Sequence, residues 1–479
     1  MCGSRPVKFP LTQGAYQSRS VIANAQRCLN LFPESNTEDA PFPVTHYTTP
    51  GLQLRGTAPN NEPWRCLYAA SNGVLYGVTG GKVYAIDDAF AFEEIGDVNF
   101  APGLVYAVDN GVHVFLVDGT ADGYTIKLKT NELSKVTDGS FYGSSRIDIC
   151  DDFFLFNRPG TNQWYISNFQ DVTFDSLDFA AKTGFSDNVV AVAAVKRQVF
   201  VFGELTTEVW FNEGNATFPF SRMPGAFIQH GCASVGSIQQ MDGSLYWLSR
   251  SPQGHCVFVR SVNYEAARIS THAIEQEISK YARVDDAIAY TYQQDGHYFY
   301  VVNFPTADKT WVYDLATQMW HERAWLDSDG IEHRHRSNCH AFWKGMTLVG
   351  DWENGKLYQM RTDVYQDNGA AIRRVRSFPH MLSDSNRIMY RELVASMEVG
   401  DGRPDSFESG ELRLRWSDTG GASWGSSVSS ELGPRGDHIR SLQFQRLGYA
   451  RDRVFELSWM ANTKTALNGV FLRVEEANE

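Results

Sequence analysis

Between about residue 74 and residue 350 the chain repeats one small unit, a pair of aromatic-rich, alternating strands joined across a glycine turn. Seven anchors mark the recurrences: Tyr76 in GVLYGV, Tyr106 in GLVYAV, Phe154 in DFFLF, Phe200 in RQVFVF, Tyr246 in GSLYWL, Phe299 in HYFYVV and Leu348 in GMTLVG. They fall 30 to 53 residues apart, and all intervals but the first match the length of one β-propeller blade. Most anchors adjoin a dipeptide that accepts positive φ: Asn72-Gly73, Gly80-Gly81, Asn110-Gly111, Asp118-Gly119, Asp242-Gly243, Asp295-Gly296 and Asn354-Gly355. Such pairs make the tight turns whose twist matches that of the flanking strands. A small sheet cannot bury its faces alone, so a period of this kind implies sheets stacked on one another around an axis.

Within LYGVTGGKVYAI, residues 75–86, alternation sets Leu75, Gly77 and Thr79 on one face and Tyr76 and Val78 on the other. One face is expected to pack on a neighbouring blade. The segment TWVYDLATQMWHER resembles a kelch-like blade ending, with Tyr313-Asp314 before a turn and Trp320 opening the return strand. We read it as packing chemistry.

The whole chain therefore reads as all-β: a β-propeller of about seven blades over residues 51–372, preceded by an extended N-terminal arm (1–50) and followed by a C-terminal β-sandwich (373–479). The arm carries proline-marked pieces, FPLTQGAY, NLFPES and APFPVTHYTTPG, and is expected to strap along the body. In the sandwich, Leu412-Arg413-Leu414-Arg415 alternates as a sheet with one solvated face does, and GDGRPDSFESGE reads as a loop. Helical periodicity is scarce. Its candidates are AAKTGF near residue 182 and residues 267–283, where Ile269, Ile274 and Ile278 share a face, and at most one short helix is expected.

A formal charge of −13 argues against sequence-independent wrapping of DNA, which needs clustered Lys and Arg to displace counterions. An acidic wall still suits a channel along which DNA passes without adhering. The seven cysteines are scattered and never form C-x-x-C, so free thiols in a reducing compartment are expected. No stretch has the length of a membrane helix, and MCGSRPVKFP lacks the apolar centre of a signal peptide, so no membrane contact is expected.

Four stretches resemble one protein family: FPLTQGAYQSRSVIANAQRCLNLFPE (9–34), YTTPGL (47–52), GVLYGVTGGKVYAI (73–86) and RLGYARDRVFELSW (446–459). With them the chain resembles the packaged-DNA stabilisation proteins, the tail hub or nozzle proteins of short-tailed bacteriophages of the Salmonella podovirus type. The resemblance implies a structural virion protein, made and assembled in the host bacterial cytoplasm and located in the tail. It further implies a homo-oligomeric ring of six copies below the portal and adaptor. That ring would extend the DNA channel, retain packaged double-stranded DNA without sequence-specific binding, and dock needle, spike or fibre proteins.

Ser417-Asp418-Thr419-Gly420-Gly421-Ala422-Ser423-Trp424 resembles the Asp-box hairpin of sialidase-type propellers, with Thr419 at the aspartate's place, and is expected to brace a turn. Glu332-His333-Arg334-His335-Arg336-Ser337-Asn338-Cys339-His340 is the densest cluster of zinc-type ligands, with a polar loop or interface strand as the plainer reading. Arg373-Arg374-Val375-Arg376 offers few charges for DNA phosphates and reads better as a hinge ion-paired to the adjacent domain. The acidic pairs Asp87-Asp88, Glu93-Glu94, Asp151-Asp152 and Asp285-Asp286 suit solvated blade edges. No P-loop, G-x-S-x-G or H-E-x-x-H occurs. No enzyme activity is expected, and no catalytic, cofactor-binding or metal residue and no cofactor is assigned. The alternative is a carbohydrate-active propeller, a sialidase-like glycosidase or a lectin, because 12 Trp and 21 Tyr are available to stack on sugar rings. A cellular interaction scaffold would share the fold.

Overall fold

The computed structural model describes residues 5–9, 11, 14–20, 22–382, 386–399, 410–432 and 440–476. Four consecutive meanders of four antiparallel strands open the wheel, spanning residues 64–97, 106–135, 147–181 and 189–228. Blade five (231–268) has its first strand broken into Gly231–Cys232 and Gln239–Met241 by a 3-10 turn at Val235–Ser237. Blade six runs from Ile288–Gln294 to Met319–Leu326, and blade seven from Ser337–Trp343 to Lys356–Arg361. First strands of most successive blades touch around the axis, while at blade five Gly231–Cys232 meets Gln198–Gly203, the second strand of blade four. The first strand of blade seven meets Trp64–Ala69 of blade one, which closes the ring.

Local chemistry explains the turns between first and second strands. Asp242-Gly243, Asp295-Gly296 and Lys344-Gly345 hold positive φ at both positions (48° and 65°, 49° and 83°, 48° and 77°). This is the type I′ geometry that follows strand twist. Asp151-Asp152 and Lys196-Arg197 adopt the same conformation without a glycine, so the left-handed strain at those two turns is carried by the paired strands on either side. Asp151-Asp152 is thus the turn of blade three as well as a solvated edge.

Strand placement corrects the anchor at Tyr106. The other six anchors lie on second strands, whereas Tyr106 belongs to the first strand of blade two, Tyr106–Asp109, and pairs with Val117. The second-strand equivalent is Phe115, which turns the first two intervals, 30 and 48 residues, into two of 39. Both faces of Leu75–Ile86 are buried, one more than expected: Leu75 packs with blade seven, while Tyr76, Val78 and Val83 pack with blade two. Among the described residues α-helix is confined to His272–Ile278, capped by Thr271 and burying Ile274 and Ile278, whereas the other helical candidate begins in the strand Phe179–Ala181.

The N-terminal arm is woven into the body. Arg5–Lys8 pairs with Thr465–Glu476, and the hairpin Leu31–Ser35 with Val44–Thr48 extends the same sheet. Cys28–Leu29 lies between blade six and Arg374–Ser377, so the last strand of blade six continues into a sandwich sheet. Gly51–Thr57 supplies the fourth strand of blade seven by pairing with Lys356–Arg361. The two sandwich sheets meet over Leu412, Leu414, Phe455 and Leu457 from one and Leu393, Met397, Phe444 and Leu472 from the other. Arg413 is exposed and Arg415 half-exposed on the opposite face, as alternation requires. The stretch 400–409, within the expected loop, lies outside the described residues.

The join between propeller and sandwich buries charge. Arg27 bridges Glu322 (2.8 Å) and Glu332 (2.7 Å), and Arg374 and Arg376 are fully buried. Nearby Asp367 is 5% exposed, and its Oδ1 has no partner. Burial pushes its carboxyl up to about 7, outweighing the attraction of Arg374 and Arg336. An unfolded aspartate ionises near 3.9, so between about pH 4 and 7 the native state holds the extra proton and stability falls as pH rises. Asp367→Asn is therefore expected to flatten this part of the profile and to melt above the parent at pH 8, by scanning calorimetry at pH 5 and 8. A variant melting below the parent at pH 8 refutes this.

Candidate functional site: the propeller axis and its mouth

The first strands place polar and aromatic side chains along the axis. Arg146 lies over the Tyr106 ring at 5.2 Å and donates to the Val235 carbonyl at 3.4 Å. Burial pushes the Tyr106 phenol up to about 12. Asp148 accepts the Ala194 N–H at 2.8 Å, and its burial raises the carboxyl. Tyr68 donates to Asp109 at 2.8 Å, and Tyr290 stacks on His340 at 5.2 Å. These groups leave an axial gap of about 270 Å³. A B-form duplex, whose major groove alone is about 12 Å wide, does not fit there. The wheel is a filled core around its axis, so no DNA runs through a single copy.

At the end where first strands begin, the axis opens into a depression of about 880 Å³. Its rim includes Phe100, 75% exposed, and its wall includes Arg65, Arg334 and Trp352. Arg65 is anchored by the carbonyls of Gly103 (2.8 Å), Gly80 (2.9 Å) and Asn99 (2.7 Å). Sequence reasoning did not single out this mouth, because its parts come from six blades; the only local signal was the exposed aromatic in NFAPG.

The residue clusters that could have carried chemistry form structural contacts instead. Desolvation lowers the basicity of His333, but its ring nitrogens donate to the carboxylates of Asp308 (2.7 Å) and Asp327 (3.2 Å), which raise it overall. His335 is buried against Ser337 (2.8 Å), and its basicity is driven down to about 3 by desolvation. His340 stacks on Tyr290, and Cys339 lies in the apolar cluster with Trp64 and Leu348. The cluster is therefore not assembled around a common point, and no group of three or more ligand-type side chains among the described residues could hold a metal.

In the Asp-box-like turn, Ser417 accepts the Gly421 N–H (2.8 Å) and Thr419 accepts the Ser423 N–H (2.9 Å), so Thr419 does the bracing. Trp424 lies beneath Arg415 at 4.7 Å. Arg373 pairs with Glu332 (3.1 Å), in line with an ion-paired hinge, but Arg374 and Arg376 are too deeply buried to meet a phosphate. Arg374 donates to the Ala461 carbonyl at 3.0 Å, and Arg376 to Gln26 at 3.0 Å. The acidic pairs serve turns and local ion pairs: Asp87 accepts the Ala91 N–H (2.8 Å), Glu94 meets Lys82 (2.7 Å) and Asp285 meets Arg283 (2.6 Å). The six described cysteines are free thiols, five of them buried. No described helix is long and apolar enough to cross a membrane.

Comparison with known proteins adds a family. The model of the phage stabilisation family, described as Bacteriophage P22 Gp10, beta-propeller, matches residues 7–365. No curated protein matches the sequence. Among solved structures, the computationally designed Ika8 protein is 11% identical with a TM-score of 0.39, over 70% of this chain and 99% of that one. An extracellular domain from B. thetaiotaomicron, described as part of a hybrid two component system, is 8% identical with a TM-score of 0.45, over 71% of this chain and 43% of that one.

Proposed function

Because this chain belongs to the phage stabilisation family of P22 Gp10 β-propeller proteins, a family of phage structural proteins, we propose that it is a load-carrying ring subunit of a short tail. In this reading six copies encircle a lumen below the portal and adaptor, extend the DNA channel, retain the packaged genome, and dock needle, spike or fibre proteins. The observation that carries the reading, beside the family, is the filled axis. Since a duplex does not pass within one copy, a DNA channel has to lie between copies, which calls for a closed ring. A wheel whose arm is threaded through both sandwich sheets is a stiff block, suited to such a ring. The charge of −13 per copy discourages DNA from adhering to the wall.

The test is complementation. DNA-filled capsids bearing portal and adaptor but lacking this chain are expected to lose their genome to added nuclease. Addition of the purified protein is expected to restore protection, with imaging of the particles showing six copies in a ring. Capsids that hold their DNA equally well without the protein, or particles that never take it up, exclude the reading.

A further inference from the structure

The mouth of the propeller holds two guanidiniums that the fold buries and leaves incompletely used. Arg334 is 8% exposed, lies 4.7 Å from the Trp352 ring centroid, and makes one side-chain hydrogen bond, to Asn338 at 3.3 Å. Among the described residues no carboxylate comes within ion-pairing distance of it. Arg65 is 5% exposed and its Nη2 has no partner, and the indole Nε1 of Trp352 is also buried without one. Across the same depression Asp286 spends Oδ2 on the Thr306 N–H (2.8 Å) and leaves Oδ1 unpartnered. Buried donors and acceptors without partners are costly, and a ligand that completes them recovers that cost.

We propose that this depression binds a short extended segment of another protein through a single carboxylate, which pairs with Arg334 beside Trp352, while a backbone N–H of the segment donates to Asp286 Oδ1. A guanidinium takes a carboxylate with two parallel hydrogen bonds, and its partial burial strengthens each. Asp286 and Glu62 on the same wall disfavour a dianion, whereas the charge of Asp285 is met by Arg283, so a singly charged carboxylate suits the site better than a phosphate. The unused acceptor on Asp286 favours a peptide, which brings an amide donor at fixed spacing from its acid. The exposed Phe100 and neighbouring Pro102 offer apolar cover for the flanking side chains, and about 880 Å³ accommodates a few residues. The inference stands whether or not the protein forms a ring.

Fluorescence anisotropy with labelled peptides tests it. The probes are Gly-Leu-Glu-Leu-Gly amide, Gly-Leu-Gln-Leu-Gly with a free C-terminus, the same peptide amidated, and a phosphoserine version of the amide. At least one singly charged peptide is expected to bind ten-fold or more tightly than the neutral amide and more tightly than the phosphopeptide. The tighter of the two acids shows whether a side chain or a chain terminus is the source. Arg334→Met is expected to remove that preference. Should this variant not fold, Thr306→Trp, at an exposed rim position, is expected to block binding while leaving the melting temperature unchanged. Equal affinity for the neutral peptide, no binding by any probe, tighter binding of the phosphopeptide, or displacement by N-acetylneuraminic acid at lower concentration than by either acid peptide overturns the proposal.

Discussion

A chain that begins at residue 58 is expected to lose its cooperative unfolding transition and to aggregate on expression. The missing segment carries Phe9, Leu11, Leu29, Leu31, Phe32, Val44 and Leu52, each 5% exposed or less. At about 1.5–3 kcal/mol per large apolar side chain, their burial is worth on the order of 10–20 kcal/mol before the cost of ordering the segment is subtracted. That burial is of the same size as the whole net stability of a domain, about 5–15 kcal/mol. Loss of the segment also bares three strand edges, on Lys356–Arg361, on Thr465–Glu476 and between blade six and Arg374–Ser377. Bare edges of that kind pair with other chains. A second truncation, beginning at residue 50, separates the two roles, because it keeps the Gly51–Thr57 strand of blade seven and removes only strands that lie outside the seven four-stranded blades. It is expected to retain a folded propeller, seen as protease-resistant fragment, with a disordered C-terminal region. A monodisperse product from the shorter chain with an unchanged melting temperature rules the account out.

The second large effect is expected at Trp64. This indole is fully buried in the seam where blade one meets blade seven, and two glycines make room for it. A Cβ on Gly77 would fall well inside contact distance of the ring edge, and one on Gly350 would meet the base of the side chain. Trp64→Ala empties that seam at an expected cost of about 3–5 kcal/mol in chemical denaturation. Its Nε1 makes no hydrogen bond, so the loss is one of packing. Gly77→Ala alone is expected to destabilise by overpacking, about 1–3 kcal/mol. In the Trp64→Ala background the same methyl enters the vacated space, so the double variant is expected to be less destabilised than the sum. Strict additivity would mean that Gly77 is not shaped around the indole.

How much of this was legible follows the range of each interaction. The hairpins were visible because turn chemistry and alternation act over a few residues, as at Asp242-Gly243 and Asp295-Gly296. Lys196-Arg197 makes the same turn with no glycine to announce it, since there the strands on either side hold the conformation. Tyr106 misled for a related reason: its strand alternates like a second strand, and only pairing with Val117 reveals it as the first. RRVRSF reads as a basic, solvated patch, yet Arg374 and Arg376 lie inside a continuous sheet between propeller and sandwich. Among the site residues, Arg334 was noticed only as a neighbour of histidines. Its lack of an acidic partner depends on where Asp286, Asp308 and Trp352 settle, and none of these distances is written in local sequence.

Residue order alone dictates an all-β chain of repeating hairpins, where most of the tight turns fall, and the family to which the chain belongs. Those features rest on backbone sterics at glycine and asparagine, and on a two-residue alternation that any strand must obey. Long-range packing sets the rest: Gly51–Thr57 completes a blade whose other strands lie about 300 residues away, the arm stitches both sandwich sheets, and the axis is filled. Those outcomes depend on which faces remain unburied once the blades have stacked, a condition set by all seven sheets together.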